Sequence, residues 1–355
     1  MRDNKRATIS DVATQAGVSR AAVSKVMRSA YGTSDDMRKR VEGAMAALNY
    51  RPQFAARALR GRTYTLGVLL PDIRNPFFPD ILDGITQALA DTQYQPLLGV
   101  RPSVEVTERG LIETMLDRKL DGLILVAPVL GHDYLMQLSA MTPTVLIGRH
   151  DQNGGFDTVN NDDRLGAKLA IDHLVAQGHS HIAYLDLEPL KDAPFNPARF
   201  RRQGYQSAMR AHGLGENELI TVIGPDSGSE RGRAAARQLL TSKRRPTAVF
   251  GWTDESALTV MSAAHELGLR IPEDLALAGY DNSRLCALAQ ISLTSIDQDA
   301  QLLGRASARM LIERIEGRRE DVHFVTAPQI VVRGSSGGAR ANGGTVTTER
   351  RPRSA

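Results

Sequence analysis

The segment that most narrows what this chain can fold into is Thr8–Met27, two helix-length stretches separated by a glycine. Thr8 followed three residues later by Asp11 is a capping-box pattern, which satisfies the free N–H groups at a helix start. Ile9, Val12, Ala13 and Ala16 then recur at helical spacing, giving one apolar face. Gly17 ends that helix, and Ser19 is placed to cap the next. At about 100° per residue, Ala22, Val23, Val26 and Met27 share one arc of the second helix, while Arg20, Ala21, Ser24, Lys25 and Arg28 fill the other. One arc can pack on the first helix and the other can meet a phosphate-lined groove, the arrangement of a helix-turn-helix. The plain alternative is an amphipathic helix whose charges sit in water. The paired helix and the glycine turn favour DNA. A third helix follows, capped by Thr33 or Ser34, with Asp35 and Asp36 at its positive end and Met37, Val41, Ala44 and Leu48 as its buried stripe.

Charge divides the chain in the same way. Residues 1–62 hold 13 Lys+Arg against 5 Asp+Glu, a net +8 within a whole-chain +4, so the remainder is acidic. A basic head on an acidic body is expected when only one part touches nucleic acid. Between them Asn49–Arg62 carries Pro52 where a helix can begin and Gly61 where it can end. Two turns of helix are unstable in isolation, so this segment is expected to be loose when free and helical when docked. Ala55, Ala56 and Ala58 keep it slim, Leu59 protrudes, and Arg57, Arg60 and Arg62 offer phosphate contacts.

Beyond residue 63, short Val/Leu/Ile runs alternate with amphipathic stretches: Thr65–Leu70, a helix over 79–92, Gln95–Val100, a helix over 107–118, Gly122–Val126 and Thr144–Ile147. A second series has a helix over 163–177, then His181–Asp186, Leu219–Ile223, Thr247–Phe250 and Leu275–Gly279. This rhythm predicts parallel sheets covered by helices on both faces, and the length predicts two α/β lobes. Domain boundaries follow: headpiece 1–50, hinge helix 51–62, two-lobed body 63–335 and a disordered tail 336–355 of Gly, Ser and Arg.

Several functions find no support in the residues. No strand runs into a G-x-G-x-x-G turn, and no P-loop pattern occurs. One cysteine, Cys286, rules out an internal disulfide. His179 and His181 follow Gly178 at a helix end without a cysteine cluster, so they read as terminal caps, and no metal or cofactor is expected. The polar, charged N-terminus is unlike a signal peptide, and no apolar run reaches the ~18 residues of a membrane span. A cytoplasmic protein without enzymatic activity is expected. A secreted sugar-binding protein is the alternative suggested by the body alone, and a DNA-binding chain without a ligand is the third reading.

The ordered series Ile9-Ser-Asp-Val-Ala13, Ala16-Gly-Val-Ser19, Val23-Ser-Lys-Val26, Asn49-Tyr-Arg-Pro52, Pro71-Asp72, Asn75-Pro-Phe-Phe78, Asp121-Gly-Leu-Ile-Leu125, Gly279-Tyr-Asp-Asn282 and Leu293-Thr-Ser-Ile296 resembles the lactose repressor family of bacterial transcription regulators. The likeness runs from residue 8 to about residue 335. It implies a homodimer whose headpieces read a palindromic operator, with hinge helices that wedge a leucine, here Leu59, into the minor groove. By position Arg20 and Ala21 would read base edges with Lys25 beside them, in a frame set by Thr8, Ser19, Ser24, Arg28, Ala56, Arg57 and Arg60. Lys25 stands where many relatives have Arg, which weakens the expectation of a bidentate guanine contact. The tail lacks the leucine heptads by which some relatives become tetramers.

The resemblance also implies a body entered by three crossings between lobes, with a small-molecule effector in the cleft beyond the strand ends. Loop residues at strand ends are the candidates for contact: Asp72, Phe77, Phe78, Arg201, Asp254 and Asp281, with Asn161 or Asp162 from the second lobe and Trp252 stacking on a ring. Family positions equivalent to Arg201 and Asp281 bind effector, and a guanidinium facing a carboxylate suits a sugar or sugar acid. Each carboxylate has a structural alternative as a helix cap or interlobe ion pair. Ser227 and Thr253 depart from the family pattern, so the effector is left unnamed. The hinge reading makes one prediction: Leu59→Ala should weaken specific operator binding more than nonspecific binding, because a wedge matters only on a kinked site. Fluorescence anisotropy on operator and scrambled duplexes measures this, and equal losses would make the hinge a tether only.

Overall fold

The computed structural model describes residues 7–27, 33–50, 62–101, 108–187, 194–223 and 229–337. The chain divides into two compact units, Met1–Thr63 and Tyr64–Ala355.

The first unit holds α1 (Ile9–Ala16), α2 (Arg20–Met27) and α3 (Asp35–Ala47). Thr8 and Asp11 close the capping box: Asp11 Oδ2 accepts from Thr8 N–H at 2.7 Å, and Thr8 Oγ1 accepts from Asp11 N–H at 3.4 Å. Gly17 ends α1 at φ +61°, a conformation that a side chain would strain. Ser19 Oγ then accepts from Ala22 N–H at 3.1 Å and starts α2. Ser34 is the side-chain cap of α3, accepting from Met37 N–H at 3.3 Å. Val12, Val23 and Val41, one from each helix, form the centre of a small core, with Ile9, Met27, Met37 and Leu48 partly buried at its rim. Arg40 of α3 donates to the Ala16 carbonyl through Nε at 3.1 Å and Nη2 at 2.7 Å. A cation at the last carbonyls of α1 suits the helix dipole and fixes the turn between the first two helices.

The second unit contains two six-stranded sheets. The first has the order β11-β5-β4-β3-β1-β2, all parallel, with β1 Thr65–Leu70, β2 Gln95–Val100, β3 Gly122–Val126, β4 Thr144–Ile147, β5 Asp157–Asn161 and β11 His323–Thr326. Its helices are α4 (Phe77–Leu89), α5 (Glu108–Asp117), α6 (His132–Met141) and α11 (Ala300–Glu316). Along β1, Leu66, Val68 and Leu70 face a core with Ile81, Ile85, Leu303 and Leu311, while Leu69 faces a second core with Ile112, Leu135 and Phe156. A strand covered on both sides reads as a continuous apolar run, as this one does.

The second sheet has the order β12-β10-β9-β8-β6-β7, parallel except for β12. It comprises β6 Ile182–Leu187, β7 Leu219–Ile223, β8 Ala248–Gly251, β9 Ala276–Tyr280, β10 Thr294–Asp297 and β12 Gln329–Val331. The helices of this lobe are α7 (Asp163–Ala176), α8 (Pro197–Ala211), α9 (Glu230–Leu240) and α10 (Asp254–Glu266). The chain passes between lobes after β5, after β10 and after β11, the three crossings that the family resemblance implies.

Some elements differ from the sequence reading. No strand was expected over 157–161, because Asp-Thr-Val-Asn-Asn lacks the apolar signal, yet β5 is fully buried within its sheet. Asp157 is tolerated there because Arg314 lies 2.8 Å and Arg318 2.5 Å from its oxygens, and Val322 N–H donates at 2.9 Å. Burial alone would raise that carboxyl, and these partners hold it below the ordinary range. Helix α4 begins at Phe77, two residues before the expected start, because Asn75 Oδ1 accepts from Phe77 N–H at 3.0 Å. Ser336, assigned to the tail, is buried, with its Oγ 2.8 Å from His173 Nε2. His179 closes the end of α7 as expected, its N–H donating to the Leu174 carbonyl at 3.1 Å after Gly178 at φ +92°, and its Nε2 also sits 3.1 Å from the Gly337 carbonyl. The rest of the tail, from residue 338, lies outside the described residues.

Helices α4 and α11 touch backbone to backbone through Gly84 and Gly304. A Cβ on Gly84 would press into the Gln301 carbonyl, and one on Gly304 into the Ile81 carbonyl. Gly84→Ala and Gly304→Ala should each destabilise the body by about 1–3 kcal/mol through overpacking, read as a lower urea midpoint. An unchanged midpoint would mean that the helix pair separates freely.

Candidate functional site

On the head, α2 turns Val23 and Val26 inward and leaves Arg20, Ala21 and Lys25 exposed, with Ser24 half-buried. Thr8 and Ser19 are exposed, and their hydroxyls serve as helix caps. The head therefore presents two cations and a small side chain on one helix face. Arg28, Ala56, Arg57, Leu59 and Arg60 lie outside the described residues, as do the hinge segment 51–61 and Ser227.

In the body, the carboxyl ends of strands from both sheets supply a polar cluster. Asp281 follows β9 at φ +109°, a backbone conformation that strains any residue other than glycine. Its Oδ1 accepts from Gln298 Nε2 at 2.6 Å, and its Oδ2 from Asn75 Nδ2 of the first lobe at 3.3 Å. Arg201, on α8, lies 3.8 Å from Asp281. Its Nε donates to Asp163 Oδ1 at 2.7 Å, its Nη1 donates to the Trp252 carbonyl at 2.5 Å, and the guanidinium stands 3.6 Å over the Tyr280 ring. Arg201, Asp281 and Asp163 are 4%, 6% and 2% exposed. Three charges this dry must be compensated locally.

Their protonation follows from these contacts. Burial would lower the Arg201 guanidinium, but Asp163, Tyr280 and Asp281 hold it above its ordinary value. Burial would raise Asp163, but Arg201 and His150 hold it below the usual carboxylate range. Burial pushes Asp281 up to about 8 despite the pull of Arg201, with Asp254 adding to the rise. Near neutral pH the cluster thus combines Arg201 as a cation, Asp163 as an anion and Asp281 largely as an acid.

The sequence-derived candidates separate into those that join this cluster and those that do not. Asn161 stands at the end of β5 in the first lobe, not in the second as expected, because β5 joins the first sheet before the chain crosses. It donates to the Tyr280 hydroxyl at 2.5 Å, and its buried Oδ1 has no hydrogen-bond partner. Trp252 is half-buried beside Arg201, and its Nε1 also lacks a partner. Asp162 instead caps α7, accepting from Leu165 N–H at 3.0 Å. Asp254 is turned into its own lobe, where its oxygens accept from Ser283 N–H at 2.7 Å and Ser295 Oγ at 2.5 Å. The structural alternative describes Asp254, because both oxygens are used and the residue is 2% exposed. Asp72 is paired with Arg74 at 2.8 Å. Phe77 is buried in the first lobe's core, and Phe78 packs against that core edge-on to it. Asn75, His150, Asp163, Tyr280 and Gln298 were not singled out from sequence. Asn75 and Tyr280 lay inside quoted motifs, and Asp163 beside a named candidate, whereas Gln298 and His150 carried no local signal.

Residues 8–53 match the model for bacterial regulatory proteins of the lacI family, and residues 171–336 match a periplasmic binding protein-like domain. The ribose operon repressor of Escherichia coli strain K12 is 32% identical over 334 residues, spanning 93% of this chain and all of that one. The chain belongs to the lacI family. The Lac repressor dimer, solved with operator and the anti-inducer ONPF, is 26% identical at a TM-score of 0.79, covering 94% of this chain and 100% of that chain. A LacI family transcriptional regulator from Enterococcus faecium, solved with ribose bound, is 28% identical at 0.69, covering 77% and 98%. This family member is a sequence-specific DNA-binding transcriptional regulator whose body takes a small-molecule effector, and it acts on operator DNA as a dimer. These relatives are transcription regulators, not enzymes. Among the described residues no helix is long and apolar enough to cross a membrane. No group of three or more His, Cys, Asp or Glu among them could hold a metal ion.

The raised Asp281 carboxyl has a thermodynamic consequence. A native state that binds a proton the unfolded chain has released loses stability as pH rises between the two pKa values. Asp281 should therefore contribute most stability below about pH 4 and lose it progressively up to about 8. The melting temperature of Asp281→Asn should fall less between pH 5 and 8 than that of the unsubstituted chain. Parallel melting curves would place the titration elsewhere.

Proposed function

We propose that the chain is a cytoplasmic, non-catalytic repressor that binds a palindromic operator as a homodimer and responds to an uncharged sugar held between its lobes. The observation that carries this reading is the buried pairing of Arg201, on α8, with Asp281, at the end of β9, 3.8 Å apart and bridged to the first lobe by Asn75. A guanidinium donates and a carboxyl both donates and accepts, so together they match adjacent hydroxyls on a ring. Asn161 Oδ1 and Trp252 Nε1 are two buried polar atoms without partners in the same region, suited to further hydroxyls. Trp252, half-buried beside Arg201, supplies apolar surface for a sugar ring, whereas Phe77 and Phe78 belong to the first lobe's core.

Charge selects within the sugars. Arg201 is already matched by Asp163, and Asp281 is largely protonated, so the cluster is close to neutral. An anionic sugar acid or sugar phosphate would add a charge with no unmatched cation among these residues. A neutral sugar would not. The names of two relatives lean the same way, a ribose operon repressor and a regulator solved with ribose.

On the DNA side, Arg20, Ala21, Ser24 and Lys25 are the readers, with Ala21 limited to apolar contact such as a thymine methyl. Arg28 and the hinge residues Ala56, Arg57, Leu59 and Arg60 contribute phosphate and minor-groove contacts. Effector and operator are then linked through the closure of the lobes. A sugar that prefers the DNA-incompetent arrangement is an inducer, and one that prefers the other is a corepressor.

The test is a thermal-shift screen of neutral sugars, D-ribose among them, followed by operator titrations. A sugar that raises the melting temperature should change operator affinity by roughly 5–150-fold, the range of such couplings. Asp281→Ala should abolish that change and preserve operator binding without sugar. A normal sugar response in Asp281→Ala would remove the residue from the site, and selective stabilisation by sugar acids alone would overturn the neutral-ligand reading.

A further inference from the structure

Several contacts join the lobes, and one of them runs directly into the cleft. His150 follows β4 in the first lobe, yet its ring lies against Phe200 of α8, with centroids 4.1 Å apart. Its backbone N–H donates to the Phe195 carbonyl at 3.0 Å, and its Nε2 lies 2.6 Å from Asp163 Oδ2. Phe195, Phe200 and Asp163 all belong to the second lobe. The other oxygen of Asp163 accepts from Arg201 Nε at 2.7 Å. One buried carboxylate therefore joins a side chain of the first lobe to the guanidinium of the second.

The chemistry of this link is constrained. Asp163 is 2% exposed, so an oxygen that loses its partner has little water to replace it. Held ionised by Arg201 and His150, Asp163 can only accept. His150 Nε2 must then be the donor, in a short charge-assisted hydrogen bond. Separating the lobes would break this bond, because its ends ride on different lobes. Asp163 would keep Arg201 as a side-chain partner, and Arg201 a carboxylate no longer fixed from the far side.

The other interlobe ties differ in kind. Asn161, at the end of β5, donates to the Tyr280 hydroxyl at 2.5 Å, a bond to the ring beneath the guanidinium and not to a charged partner of Arg201. Arg284 reaches Asp80 and Asp83 on α4, but its side chain is 69% exposed, and exposed ion pairs contribute little. Asn75 meets Asp281 at a longer 3.3 Å, and Asp281 itself lies 3.8 Å from Arg201, beyond hydrogen-bond distance.

Resting on the reading of Arg201 as an effector ligand, we propose that His150 is a positioning residue for the effector site, which bonds Asp163 only when the lobes are together and so makes cleft closure and fixation of the Arg201 guanidinium one event. A sugar meeting the open cleft finds the guanidinium loosely held. Closure sets it.

The experiment uses the full chain without sugar. Nitroxide labels at Met141→Cys and Lys243→Cys report the interlobe distance, one on each lobe at exposed positions remote from the cleft, while Cys286 is buried. Labelled chain is diluted into unlabelled chain so that each dimer carries one pair. The single tryptophan, Trp252, whose carbonyl holds Arg201, reports the guanidinium's surroundings by its emission. His150→Ala should raise the open-to-closed ratio roughly 10-fold, the usual scale for losing a charge-assisted hydrogen bond, and shift the Trp252 emission. His150→Gln, which keeps an N–H donor at similar reach, should restore both.

An unchanged distance distribution in His150→Ala would overturn the proposal. Gln behaving as Ala would do so too, since ring stacking on Phe200 would then hold the lobes. A longer distance with unmoved Trp252 emission would reduce His150 to a latch with no part in positioning Arg201. None of these readouts needs a ligand, so failure of the relay stays distinct from failure of the effector reading, which the sugar and operator titrations decide.

Discussion

Arg201 carries a permanent positive charge into a place with almost no water, and both lobes are arranged around the need to compensate it. An isolated buried guanidinium is not tolerable, and a single carboxylate rarely suffices without further hydrogen bonds. Here Asp163 takes one edge, the Trp252 carbonyl another, and the Tyr280 ring lies beneath the plane. Asp281 completes the set at 3.8 Å. These partners come from α7 and the ends of β8 and β9, around Arg201 on α8, so the second lobe must be folded before the charge is accommodated. Three residues reach this cluster from the first lobe: Asn75 and His150 bind its carboxylates and Asn161 binds the Tyr280 hydroxyl, so all leave the cation alone. Interlobe geometry is thereby written into the hydrogen bonding of the site.

The same logic of paired charges recurs where the sheets would otherwise be apolar. Asp157 sits at the start of a fully buried strand because Arg314 and Arg318 reach it from α11 and the segment after it. Asp254 sits at the start of α10 with both oxygens bonded to Ser283 and Ser295, which fixes the turn leading out of β9. That turn carries Asp281 in its strained conformation. A carboxylate that looks in sequence like a ligand thus has a supporting role, holding the loop on which the candidate ligand stands.

The head obeys simpler rules. Its core is four valines and three alanines, and its turns are set by local caps at Thr8, Ser19 and Ser34. One longer-range contact, Arg40 on the Ala16 carbonyl, secures the angle between helices. With so little to bury, the unit spends its exposed α2 face on Arg20, Ala21 and Lys25, which is where a DNA-reading helix needs them.

Legibility in sequence followed the range of the interaction. Caps, the glycine turn and apolar strands are local or periodic signals, and the helix-turn-helix with strands such as Thr65–Leu70 and Gln95–Val100 emerged where they were read. The family resemblance placed the lobe crossings and pointed to Arg201 and Asp281, which the fold brings together. What sequence could not give was β5, whose polar run depends on arginines some 160 residues away, or the separation of Asp254 from Asp281. Both aspartates follow buried strands, and only the packed neighbours decide which one spends its oxygens on its own loop. Nor was there a local mark on His150, whose partners Asp163 and Phe200 are distant in the chain. Sequence alone determined the apolar and capped elements and the exposed face of α2, because these rest on periodicity and neighbouring residues. The electrostatics of the cleft were decided by tertiary structure, because burial and long-range pairing set which carboxyl is charged, which is protonated and which is structural.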